Sequence, residues 1–129
     1  MITIPTDRQV FEGEIATYWI DDGILVSLSK NPRRTVANIT DNVALVKRIT
    51  NNKTIPLLIY LSNSPVPDKE TRKFSTEQLP NIYAAMAMVS EPGLASFIMK
   101  LLFKLQSPPI PMKNFTDDKA AKEWLKQYL

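Results

Sequence analysis

Apolar positions along this chain change their spacing several times, and each change predicts a new element. Ile15 to Ile20 (IATYWI) is rich in aromatic and β-branched residues and reads as a strand. Asp21-Asp22-Gly23 follows, and Asp-Gly is a strong hairpin signal because glycine accepts positive φ freely. Ile24 to Leu28 then returns antiparallel, with Ile24, Val26 and Leu28 on one face. The polar segment SKNPRRTVANIT connects this hairpin to a helix that Thr40 or Asp41 is expected to cap. Val43, Val46 and Ile49 repeat at helical spacing, Lys47 and Arg48 suit the negative end of the helix dipole, and Asn51-Asn52 ends the run.

Pro56 opens PLLIYL, a short continuous apolar run of the kind buried on both faces of a parallel sheet. After the turn Ser62–Pro67, DKETRKFSTEQL reads as a mostly exposed helix carrying Phe74 and Leu79, interrupted at Pro80. YAAMAMVS (residues 83–90) is read as a buried strand, with helix as the rival because Ala and Met favour it. Pro92 fits the first turn of a third helix reaching about Leu105, and IPMKNF follows as an edge strand. Thr116 is the expected cap of a last helix, in which Ala120, Ala121, Trp124, Leu125 and Tyr128 form one apolar stripe. The order ββαβαβαβα predicts a single α/β domain over residues 1–129, with residues 1–14 as an N-terminal arm. Its sheet is expected to be five-stranded, mixed and mainly parallel, with four helices.

Composition removes chemistry rather than adding it. The 129 residues include no histidine and no cysteine, which excludes Ser-His-Asp and Cys-His nucleophiles and ordinary zinc sites. Three glycines are too few and too scattered for a phosphate loop or a dinucleotide fingerprint. Asp21 and Asp22 are adjacent carboxylates, but a hairpin turn accounts for them. No catalytic residue, cofactor or metal is therefore assigned, and the chain is read as a non-enzyme. The net charge of +3 is interspersed with acids, and no basic stripe carries aromatics, so nucleic acid is not expected as a partner. The start, MITIPTDRQVFEGE, has no signal-peptide pattern, and no stretch approaches a membrane span of roughly 18 apolar residues. The expectation is a cytoplasmic protein.

The order of elements, together with Phe115-Thr116-Asp117-Asp118 followed by Ala120-Ala121 and Trp124-Leu125, resembles the SpoIIAA-like, or STAS-like, bacterial families. Their last strand and helix often read F-x-D, then Ala, then Trp-Leu. The resemblance implies a non-catalytic switch module that engages a protein partner and is phosphorylated on Ser or Thr where the central strand enters the second helix. That stretch is D-S-[ST]-G in the families, whereas here Leu61-Ser62-Asn63-Ser64-Pro65 has neither the Asp nor the Gly. The same architecture is shared with Sec14-type lipid carriers, so the fold alone does not choose a role.

Two regions are candidates for binding. Ser62, Asn63 and Ser64 follow a central strand at the sheet edge where ligands of open α/β sheets collect, and Arg72 on the next helix suits an anion or acidic partner. Turn chemistry and a solvated helix face are the simpler readings of the same residues. On the third helix, Met99 and Phe103 widen the apolar arc beyond what a surface helix needs. The chain's own core, a homodimer or partner interface, and a lipid or other apolar ligand are all open as the cover for that flank. Tyr18 and Trp19 are read as sheet packing, with ligand stacking as the alternative.

Overall fold

The computed structural model describes residues 4–61, 67–89 and 109–129. Nine elements follow in order: β1 (Phe11–Glu12), β2 (Ala16–Asp21), β3 (Ile24–Ser29), α1 (Val36–Thr50), β4 (Ile55–Tyr60), α2 (Lys69–Ile82), β5 (Tyr83–Val89), β6 (Met112–Phe115) and α3 (Asp118–Leu125). A single 3₁₀ turn, Lys126–Tyr128, completes the chain. The strands form one sheet in sequence order, β1 to β6. β1, β2 and β3 pair antiparallel, and β3 to β6 pair parallel. Residues 83–89 are strand, and the mixed, mainly parallel α/β architecture is the expected one.

The sheet has six strands rather than five. The additional strand lies inside the segment read as an arm, where Phe11 faces Tyr18 and Glu12 faces Thr17. It is held by side chains as much as by its ladder. Glu12 accepts hydrogen bonds from Thr17 (3.0 Å) and Lys30 (2.9 Å), and Gly13 N–H donates to the Ala16 carbonyl. Three helices lie among the described residues, and the helix expected over 92–105 falls outside them.

Helix boundaries required three corrections. α1 starts one turn earlier than the Thr40 or Asp41 cap implies. Thr35 Oγ1 accepts from Asn38 N–H (3.1 Å) and Asn38 Oδ1 accepts from Thr35 N–H (2.7 Å), a reciprocal capping box. α2 runs through Pro80 instead of stopping there. The proline is exposed in the last turn, and Tyr83 N–H still bonds to the Leu79 carbonyl while Ile82 is buried. α3 is capped by Asp117 rather than Thr116, through a bond from Lys119 N–H. The hairpin turn is as expected, with positive φ at both Asp22 (52°) and Gly23 (81°).

Alternation along the strands sorts the core into two layers. Tyr18, Leu25, Leu57, Met86 and Met88 face α1 and α2, packing with Ile39, Val43, Val46 and Ile82. Trp19, Ile24, Val26, Leu58, Ala85 and Ala87 face α3, packing with Ala121 and Leu125. Ala120, expected in that stripe, is exposed. The F…WL pattern is a packing device. Phe115 on β6 meets Trp124 on α3 at 5.9 Å between ring centroids, and Trp124 meets Tyr128 edge-on at 5.2 Å.

Candidate functional site

The face covered by α1 and α2 is not completely filled. A cavity of about 140 Å³ lies between the two helices and strands β2, β3, β4 and β5. Ile15, Ile39, Val43, Ile82 and Met86 make its apolar walls. Buried Tyr18, Ser27 and Tyr83 add polar atoms, and half-exposed Ser29, Arg34, Asn42, Ser75 and Gln78 mark where it opens. Among the described residues no carboxylate lines it, and Arg34 is the one charged residue in its lining.

A local irregularity puts Tyr83 into this cavity. Ile55 pairs with Tyr83 but Pro56 pairs with Ala85, so Ala84 is an extra residue on β5. Such a bulge shifts the two-residue alternation by one. Ala85 and Ala87 then face α3, whereas Tyr83, Met86 and Met88 all face α1 and α2. Without the bulge Tyr83 would lie on the opposite face from Tyr18.

The Tyr18 hydroxyl is the centre of the polar cluster. The Asn42 side-chain amide on α1 lies against it, with Oδ1 at 2.9 Å and Nδ2 at 2.7 Å. The Tyr83 and Ser27 hydroxyls lie near enough to act against the effect of its burial. Burial pushes the Tyr18 hydroxyl above its usual pKa, and burial pushes Tyr83 further still. Both are therefore neutral phenols at physiological pH, suited to orienting a ligand rather than abstracting a proton.

Arg34 stands at the opening, immediately before the Thr35 cap of α1. Its Nη1 donates to the carbonyls of Lys30 (2.7 Å) and Pro32 (2.8 Å), and its Nη2 to the carbonyl of Ile15 (3.0 Å). Among the described residues no carboxylate pairs with it. Burial holds the guanidinium below its usual pKa, the direction expected of a half-buried cation without a counter-ion. Arg34 reads in the sequence as part of a polar connection, because its role depends on the carbonyl of Ile15, nineteen residues away just before β2.

The opposite face carries a different polar group of residues. Asp21 at the end of β2 accepts from Lys122 on α3 (2.7 Å) and from Arg8 (3.1 Å), and Tyr60 on β4 donates to Asp118 (2.8 Å). These contacts tie the hairpin and β4 to α3. Asp21 is thus an anchoring residue as well as a turn residue. Among the described residues no group of three acidic side chains is placed to hold a metal ion.

Of the residues singled out from the sequence, Ser62, Asn63, Ser64, Met99 and Phe103 lie outside the described residues. Arg72 is half-buried in the first turns of α2, one turn before the cavity residue Ser75. The Asp68 cap at the start of that helix has its carboxyl held low mainly by Thr71 N–H (2.8 Å), with Arg33 and Arg72 adding to the effect. Arg33 and Arg72 therefore converge on one end of α2. Among the described residues no helix is long and apolar enough to cross a membrane.

A mixed sheet of this order, closed by an F…WL strand-helix pair, defines a SpoIIAA-like fold. The chain is similar to an uncharacterized protein of the DUF3478 family with a SpoIIAA-like fold from Shewanella loihica PV-4. The TM-score is 0.56 at 15% identity, covering 92% of this chain and 91% of that one. The model of the family described as "Domain of unknown function (DUF7793)" matches residues 18–129, and the chain belongs to that family. No curated protein matches it.

Proposed function

We propose that this protein is a non-catalytic regulatory module of the STAS-like kind, which responds to a small molecule held in the cavity under α1 and α2. The observation that carries this reading is the cavity itself, about 140 Å³ with apolar walls and a few convergent polar groups. An engineered apolar cavity of roughly 150 Å³ takes benzene, so a space of this size suits a small, mainly apolar ligand rather than a lipid. Binding without turnover is supported by the described lining, which holds two neutral phenols, two amides, hydroxyls and the Arg34 guanidinium but no acid, thiol or imidazole.

The ligand site and the proposed partner surface share α2. Ser75, Gln78 and Leu79 line the cavity, and Arg72 lies one turn earlier on the same helix. Occupancy would hold α2 against α1 and so set how Arg72 is presented to a protein partner. Native mass spectrometry of the full chain, purified without refolding, tests the reading beside a Val43→Phe variant that fills the cavity. A low-mass adduct on the native protein and its absence from Val43→Phe is the expected result. Identical spectra for the two proteins would sink the proposal.

A further inference from the structure

We infer that the ligand of this cavity is a small organic monocarboxylate, with its apolar body inside and its acid group on Arg34. The inference rests on the cavity reading above and adds the chemical class of the ligand. Arginine has five N–H donors in a rigid fork. Three of them are taken by the carbonyls of Lys30, Pro32 and Ile15, which fix the guanidinium at the opening. Nε–H and one Nη2–H make no hydrogen bond to any described residue. Two donors on a planar cation match the two oxygens of one carboxylate, the bidentate geometry in which Arg–carboxylate pairs are strongest.

Charge and size both narrow the class. The carbonyls that hold Arg34 are neutral, so among the described residues its charge has no counter-ion in a half-buried position, where an unpaired charge is costly. Among the described residues the lining offers no other charge. A phosphate or dicarboxylate would bring a second negative charge that the lining has nothing to pair with. The volume of about 140 Å³ restricts the apolar body to a ring or short chain. The Tyr18 and Ser27 hydroxyls sit deeper, available to a single polar substituent.

Benzoate and its neutral isostere benzamide test the inference on the full-length chain, by amide NMR titration at pH 7. Charged hydrogen bonds exceed neutral ones enough that benzoate should bind about tenfold or more tightly than benzamide. Both should shift the signals of Ile39 and Val43. Arg34→Gln should remove the preference, and Arg34→Lys should restore only part of it, because an ammonium keeps the charge without the fork. Equal affinities for the two probes in the native protein would overturn the carboxylate assignment and leave the cavity reading standing. No shift at Ile39 or Val43 with either probe at millimolar concentration would overturn both. The comparison in the native protein decides the question even if the Arg34 variants fold poorly.

Discussion

The two faces of the sheet use the same strands to opposite ends. On the α3 face, Ala85 and Ala87 on β5 and Ala121 on the helix let backbones approach closely, and Leu58 and Leu125 are 0% exposed. On the α1–α2 face the larger Tyr18, Tyr83, Met86 and Ile39 hold the helices further off and leave about 140 Å³ unfilled. A sheet this small gains most of its stability from packing, so a cavity on one side is an energetic loss that the other side must offset. The difference sets a filled α3 face against a partly open α1–α2 face, the one on which the proposed ligand reading rests.

The sharpest way to break this contrast is to truncate a leucine on one face and a valine on the other. Leu125→Ala opens a void in a filled layer and should cost about 3 kcal/mol, within the range for buried leucines. Val43→Ala, at a residue 9% exposed that already borders a cavity, loses fewer contacts and should cost about 1 kcal/mol. Urea denaturation of both variants measures the difference. Equal losses would mean that the α1–α2 layer is as tightly packed as its counterpart.

Tyr18→Phe addresses the polar centre of the cavity face. It removes the hydroxyl that bonds to both polar atoms of the Asn42 amide and leaves that amide without this partner. The expected cost is about 1–2 kcal/mol, the usual penalty for orphaning buried polar groups. Trp19, its neighbour on the other face, has no such cluster. A Tyr18→Phe variant as stable as the native chain would mean that the bond to Asn42 adds no net stability.

The α3 face was the more legible in the sequence. Alternation in ILVSL and the Ala, Trp and Leu spacing of the last helix are short-range patterns, and short-range patterns survive into the fold. The α1–α2 face depends on features with no such signature. YAAMAMV alternates equally well whichever residue is extra, so the bulge at Ala84 that turns Tyr83 inward could not be read from it. The Thr35–Asn38 capping box uses Asn where Glu or Gln is the usual marker, which hid the true start of α1. Arg34 looked like one more solvated charge until the fold brought the Ile15 carbonyl to it. β1 is two residues long, too short for any period to show. Ser62 to Ser64 stand out in the sequence by position after a strand, Arg72 by its charge on the next helix, and Met99 and Phe103 by an over-wide apolar arc, whereas the cavity is assembled from six separate elements.

The smallest expected effect belongs to the tether that closes the α3 face. Asp21 pairs with Lys122 at 2.7 Å and with Arg8 at 3.1 Å, both partly open to solvent. Exposed pairs of this kind contribute roughly 0.2–1 kcal/mol, so Asp21→Asn should cost no more than about 1 kcal/mol at pH 7 and less in high salt. The sign of the pH dependence follows from the direction of the shift. The hydrogen bond from Lys122, with Arg8 assisting, holds the Asp21 carboxyl below its usual pKa in the folded chain. The tether is therefore fully effective above the ordinary aspartate value of about 4, and it is lost as pH falls through the lower folded value. The native chain and Asp21→Asn should then differ most in melting temperature near neutrality and converge in acid. The cavity face, with no carboxylate in its lining, contributes nothing to that convergence. A gap between the two melting curves that persists unchanged at pH 2 would mean that the Asp21 side chain acts through turn geometry and not through its charge.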